Sequence, residues 1–276
     1  MKIKIGDVEL FHRIEGRGDP AVVMHGGLGA DHTCFLNTPF NRLSNRLKLV
    51  YYDHRCNGRS SCPGIETMTH ENLARDAEGL RRALGLENFT IIGHSYGGIT
   101  ALEYAARYQS NLRRMLLITT APSGELLVEA RKMAQRRAPE LMDVVDRVLN
   151  AEIQGDEEFA EALGQLAPLY FCDFDSFKEA AEKATKDVKF SGAAYNYSFS
   201  KLLPAYDVRP KLPEIEVPTL ILCGRHDWIT PVNQAEAIHA GLPNSELVIF
   251  ENSAHWVYIE EEELFMETVN DWLDRT

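Results

Sequence analysis

No stretch of this chain reaches the roughly 18 consecutive apolar residues that a membrane-crossing helix needs. The N-terminus, MKIKIGDVELFHR, lacks the apolar centre of a secretory leader. A cytoplasmic protein without a membrane partner is therefore expected. Positive charge is scarce as well: 29 Lys and Arg face 41 Asp and Glu, a formal net charge of −12. Gripping a phosphate backbone takes a concentrated basic patch, so nucleic acid is not an expected partner. The one dense basic run, Arg131 to Arg137, falls on a predicted helix with acidic neighbours and reads as a solvated face. The five cysteines, at 34, 56, 62, 172 and 223, show no zinc or redox spacing. Cys56 and Cys62 are too far apart for C-x-x-C, and free thiols in a reducing compartment are expected. Internal repeats and low-complexity linkers are absent too.

What is present suits one large domain with a sizeable insertion: 276 residues, 45% hydrophobic and 25% charged. Residues 2–14 alternate around Gly6-Asp7, which predicts a strand hairpin. Six short apolar runs follow at 21–27, 47–55, 89–95, 113–121, 217–224 and 246–252. Continuous rather than alternating runs predict strands buried on both faces. Between them lie helical patterns at 70–85, 97–108, 231–242 and 261–275. The first carries Leu73, Ala77, Leu80 and Leu84 on one face and stops at Gly85. Strands alternating with helices predict a mostly parallel sheet covered on both sides. The alternation fails between Ser123 and Asp207, where only helical signals occur. That block reads as a helical cap, 123–207, inserted into a core built from 1–122 and 208–276.

One turn stands out. In TIIGHSYGGIT (90–100), a strand of β-formers ends in G-x-S-x-G and a helix begins. A serine forced into a strained turn needs tiny neighbours, and Gly93 and Gly97 supply them. The turn lifts the Ser95 hydroxyl clear of the sheet and aims a helix N-terminus at it. A serine is a poor nucleophile without a base and a group that orients the base. His255, in a loop past the last strand, is the candidate base; His226 and His239 are less well placed. Asp227, just past the strand ending at Leu222-Cys223, is the candidate acid. Two backbone N–H groups should face a developing oxyanion. Tyr96 supplies one, and the HGGLG loop (25–29) the other, Gly27 first and Leu28 second. That loop fits a dinucleotide fingerprint poorly. The turn YYDHRCNGRS (51–60) reads as scaffolding held by local polar bonds.

Taken in order, HGGLG, YYDHRCNGRS, GHSYGG, GRHDWITP and SAHW resemble the α/β-hydrolase superfamily over nearly the whole chain. The resemblance implies an eight-stranded α/β sheet, a cap after the sixth strand, and no metal or organic cofactor. Within the superfamily the chain is similar to the prolyl aminopeptidases and related small esterases. Leu28 stands where that peptidase group commonly has proline. Trp228 follows the acid where some members carry an amine-binding carboxylate. An esterase acting on small ester substrates is therefore the first expectation and an aminopeptidase or amidase the runner-up. A carbon–carbon bond hydrolase and a non-catalytic receptor on the same fold are further alternatives. The aromatic stretches 167–177 and 195–203 read first as the cap's own core and seam. Tyr170, Phe171, Tyr195 and Tyr197, with His94, Trp228 and Trp256, are the candidates for a pocket lining. Oligomeric state leaves no trace in the sequence.

Overall fold

The computed structural model describes all 276 residues, Met1–Thr276. The chain opens with a hairpin, β1 (Lys2–Ile5) and β2 (Val8–Glu15), turning at Gly6 in the left-handed region (φ 55°). It continues through β3 (Asp19–Met24), the short α1 (Thr33–Leu36), β4 (Leu47–Tyr52), α2 (His70–Ala83), β5 (Phe89–His94), α3 (Tyr96–Tyr108) and β6 (Leu112–Ile118). The chain then leaves the sheet for five helices: α4 (Leu126–Arg137), α5 (Met142–Leu149), α6 (Asp156–Tyr170), α7 (Phe174–Thr185) and α8 (Gly192–Tyr197). It returns as β7 (Thr219–Gly224), α9 (Val232–Gly241), β8 (Ser245–Phe250), α10 (Val257–Glu260) and α11 (Glu262–Arg275). The eight strands form one sheet in the order β1-β2-β4-β3-β5-β6-β7-β8. β1 and β2 run antiparallel to their neighbours; the pairs from β4 to β8 are all parallel.

The apolar runs are continuous because both faces of the central strands are covered. Along β3, Val22 and Met24 face one core with Ile91, Leu117 and Ile221, while Ala21 and Val23 face another with Ile92, Leu116 and Leu222. The first core takes in α2, α3 and α9 and runs on into the inserted helices through Ala130, Val145 and Phe159. The second takes in α11 through Phe265, Val269 and Trp272. Each fully buried Leu, Ile or Val stabilises this arrangement by roughly 1.5–3 kcal/mol. β8 departs from the expectation of two covered faces. It is the last strand of the sheet and most of its side chains stay half-buried.

Local signals set the helix ends. The Thr69 side chain accepts from Asn72 N–H at the start of α2. Gly85, at φ 63°, ends it, with Leu86 N–H returning to Arg81 O. The excursion between β6 and β7 leaves and returns at one place. Ser123 and Asp207 form an antiparallel bridge, Gly124 N–H donates to Tyr206 O at 2.8 Å and Val208 N–H to Pro122 O at 2.9 Å.

Two expectations need correction. Cys56 and Cys62 are not free: they form a disulfide, because the Asn57-Gly58 turn folds the loop back until their Cα atoms are 4.1 Å apart. Cys34, Cys172 and Cys223 are free thiols. The basic run is also not uniformly solvated. Arg131 and Lys132 form surface pairs with Asp146 and Glu129, but Arg137 turns inward onto backbone carbonyls.

Candidate active site

Ser95 sits between β5 and α3 at φ 55°, ψ −122°. A non-glycine residue there is strained by roughly 1–3 kcal/mol and persists only where its surroundings dictate it. They do. Ser95 N–H donates to Ile118 O at 2.9 Å, and Ser95 O accepts from Gly98 N–H and from Thr120 Oγ1. The neighbouring glycines are sterically required. A Cβ on Gly97 would lie 2.0 Å from Met24 O, and one on Gly93 would lie 2.6 Å from Gly97 O. The Ser95 hydroxyl thus stands at the carboxyl edge of the sheet beside the open N-terminus of α3.

Asp227 and His255 come from the loops after β7 and β8 and are both buried. Asp227 Oδ1 accepts from Ile229 N–H (3.0 Å) and Thr230 N–H (3.1 Å). Its Oδ2 accepts from Thr230 Oγ1 (2.7 Å) and from His255 Nδ1–H (2.7 Å). A carboxylate only accepts, so the imidazole proton belongs on Nδ1 and Nε2 keeps a free lone pair. The His255 carbonyl accepts from Thr119 Oγ1 (3.1 Å) and His94 Nε2–H (3.3 Å), which ties this loop to the ends of β5 and β6. The His94 and His255 rings lie 4.9 Å apart. The three candidate residues therefore converge on one rim. No hydrogen bond joins Ser95 Oγ to His255; the hydrogen bond of the His255 ring is the one to Asp227.

The HGGLG loop packs directly on the serine turn. A Cβ on Gly26 would lie 2.9 Å from Ser95 Cβ and 3.0 Å from His94 Nδ1. Gly27 takes φ 39° and faces open space, while Leu28 is fully buried. Asn57 holds this loop from the YYDHRCNGRS turn, its Oδ1 accepting from Gly29 N–H at 2.5 Å. His25 Nδ1–H donates to Gly26 O, and its Nε2 accepts from His54 N–H. Burial pushes the His25, His54 and His94 imidazoles below their ordinary pKa, so these rings stay neutral.

Aromatic side chains roof the rim. Tyr170, at the end of α6, meets His255 edge-on at 5.4 Å and Trp228 at 5.5 Å. Phe171 stacks on Trp256 at 6.2 Å, and Trp256 lies 5.9 Å from His94. Trp228 is fully buried and its indole N–H has no partner. The other two candidates are placed within the inserted helices and at their edge. Tyr195 stacks between Phe159 and Phe199 and donates to Val148 O, while half-buried Tyr197 reaches Glu66 O. Two open surface hollows of about 350 and 440 Å³ lie elsewhere, lined by none of Ser95, Asp227 or His255.

One buried group brings metal-type donors together: Asp31, His32 and Asp53. Their atoms are already engaged. Asp53 accepts from His32 Nδ1–H and Arg59 N–H, and Asp31 from Thr33 and the Arg59 guanidinium. Burial raises the Asp53 pKa, but the His32 hydrogen bond, the nearby His32 and His25 rings and the Arg59 N–H together outweigh it and keep the carboxyl below the usual range. The cluster is a brace for the turn beside the HGGLG loop.

Sequence reasoning missed Arg137, Glu260 and the linking role of Asn57. Asn57 was within reach, since it sits in a marked motif. The other two bond to backbone groups, which carry no residue-type signal.

A profile of the alpha/beta hydrolase fold family matches residues 20–262. The chain belongs to the α/β-hydrolase family. Within it, the chain is similar to proline iminopeptidases. That of Saccharolobus solfataricus is 30% identical over 278 residues, covering 96% of this chain and 88% of the relative. That of Pestalotiopsis fici is 28% identical over 281 residues, 99% of each. Among solved structures, an alpha/beta fold family hydrolase from Bacillus anthracis superposes with a TM-score of 0.83 at 25% identity, covering 99% of this chain and 98% of that one.

Proposed function

We propose that this protein is a serine hydrolase that removes an N-terminal proline-type residue by cleaving the amide bond that follows it. The observation that carries the chemistry is the Nδ1–H···Oδ2 bond of 2.7 Å between buried His255 and Asp227, at the same rim as the strained Ser95 turn. The substrate class rests on the relatives' names, and these displace the first expectation of an esterase.

In this reading His255 Nε2 takes the Ser95 proton as Oγ attacks the carbonyl. Asp227 holds the ring in the needed tautomer and stabilises the imidazolium. The N–H groups of Gly27 and Tyr96 receive the developing oxyanion, with Leu28 as the alternative to Gly27. Losing one such donor costs about 3 kcal/mol. The imidazolium then protonates the leaving amine, and the same nitrogen activates the water that releases the acyl group. Residues 123–207 act as a cap domain over a core made of 1–122 and 208–276, which the single crossing at Ser123 and Asp207 supports.

Small esters are the second reading, supported by the neutral roof of Tyr170, Trp228 and Trp256. An unpartnered indole N–H is a donor, suited to a substrate oxygen rather than to an ammonium. The test compares proline β-naphthylamide with short p-nitrophenyl esters on the wild type and Ser95→Ala. Loss of both activities in the folded variant, with kcat/KM favouring the anilide, is expected. Retained turnover by Ser95→Ala refutes the chemistry; exclusive ester turnover refutes the substrate class.

A further inference from the structure

Four successive residues at the end of α6 and just past it, Leu169 to Cys172, are each hydrogen-bonded through the backbone, two to α4 and two to elements after β8. Arg137, at the end of α4, donates from Nη1 to Leu169 O (2.9 Å) and from Nη2 to Phe171 O (2.8 Å). The same Nη1 also donates to His226 O, one residue before Asp227. Tyr170 O accepts from His255 N–H at 3.0 Å. Glu260, in α10, accepts from Cys172 N–H through Oε1 and from Ala254 N–H, one residue before His255, through Oε2, each at 2.6 Å. Pro168 lies in the last turn of α6, whose final carbonyls have no helical partner. A guanidinium is the side chain suited to such a helix end: it is always charged, presents several donors in a fixed fork, and complements the negative dipole. Arg137 has no carboxylate in salt-bridge contact, so its hydrogen bonds are spent on backbone carbonyls.

We propose that Arg137 and Glu260 are positioning residues for hydrolysis: together they clamp the Leu169–Cys172 segment onto the loops that carry Asp227 and His255. The inference rests on the proposed Ser95–His255–Asp227 chemistry. Its physical content is that one guanidinium joins the roof to the acid loop and one carboxylate joins the roof to the base loop. Tyr170 is thereby held edge-on to the His255 ring. Loosening either joint leaves the base free to tilt, and a misplacement of about 1 Å costs roughly 100-fold.

The experiment measures kcat and KM with p-nitrophenyl acetate, whose acetyl group is too small to need the roof for binding, on Arg137→Met, Arg137→Lys and Glu260→Gln. Thermal melts and fluorophosphonate labelling run alongside. Glutamine keeps one acceptor oxygen for two N–H groups, and lysine keeps the charge without the fork. Expected are kcat losses of roughly 10–100-fold in all three at nearly constant KM. Folded variants that keep kcat within twofold of wild type overturn the clamp, whatever their melting temperatures. If Arg137→Met does not fold, Arg137→Lys and Glu260→Gln decide alone. Wild type that fails to label, or an active Ser95→Ala, overturns the underlying chemistry instead, a distinguishable result.

Discussion

Asp227→Asn tests the site at its most specific point, because it changes one atom and leaves the shape. The asparagine oxygen can take the place of Oδ1 and accept from Ile229 N–H and Thr230 N–H, as the carboxylate does now. The amide nitrogen then occupies the Oδ2 position, facing Thr230 Oγ1 and His255 Nδ1. It can donate to both, but only if Nδ1 gives up its proton. The imidazole proton moves to Nε2, the nitrogen that should receive the Ser95 proton. The base is then present in the wrong tautomer. The expected fall in kcat is about 10⁴-fold, or ~5.4 kcal/mol. Stability should change far less, since every hydrogen bond at the carboxylate finds a replacement and only charge assistance is lost, about 2 kcal/mol at most. The assay is turnover of p-nitrophenyl acetate and proline β-naphthylamide beside a urea melt. A folded Asp227→Asn that retains a tenth of wild-type kcat would show that tautomer control through Asp227 is not what this pair does.

Further outcomes follow from packing and charge. Gly97→Ala places a Cβ 2.0 Å from Met24 O, a backbone atom that cannot step aside, so a loss of roughly 3 kcal/mol or more in urea denaturation is expected; an unchanged midpoint refutes the steric account. Asn57→Ala strips the buried Gly29 N–H of its acceptor and should lower stability by roughly 1–3 kcal/mol, with reduced kcat as the HGGLG loop loosens. Burial raises the Glu78 pKa, but hydrogen bonds from Arg81, Tyr104 and Arg82 prevail and bring it down to about 2. With the folded pKa below the unfolded one, its stabilisation is complete above about pH 4.5 and is lost as pH falls through about 2. The stability gap between wild type and Glu78→Gln should therefore narrow between pH 6 and pH 3; a constant gap refutes the linkage.

The parts legible in the sequence were those that depend on side-chain type and period. The two-sided apolar runs of β3 to β7, the stop at Gly85 and the tiny residues flanking Ser95 each state a local steric or burial requirement. The candidates Asp227 and His255 stand out by their places just past strand ends. The illegible parts depend on the chain meeting itself. Nothing in the spacing of Cys56 and Cys62 announces the turn that joins them. Nothing in RKMAQRR separates Arg137 from its solvated neighbours, because its acceptors are carbonyls of residues 169, 171 and 226. β8 has the composition of a central strand, and only its place in the strand order makes it an edge.

The bridge between Ser123 and Asp207 has a consequence for how such a molecule can vary. A chain that departs and re-enters through one doorway leaves the wall around it standing. Lengthening or replacing the excursion would add little closure entropy and leave the strand register alone. What a replacement has to reproduce is the apolar face that continues the first core and the peptide groups that meet the loops carrying Asp227 and His255. The excursion can thus change over evolutionary time while the strand order and the loops after β5, β7 and β8 stay fixed.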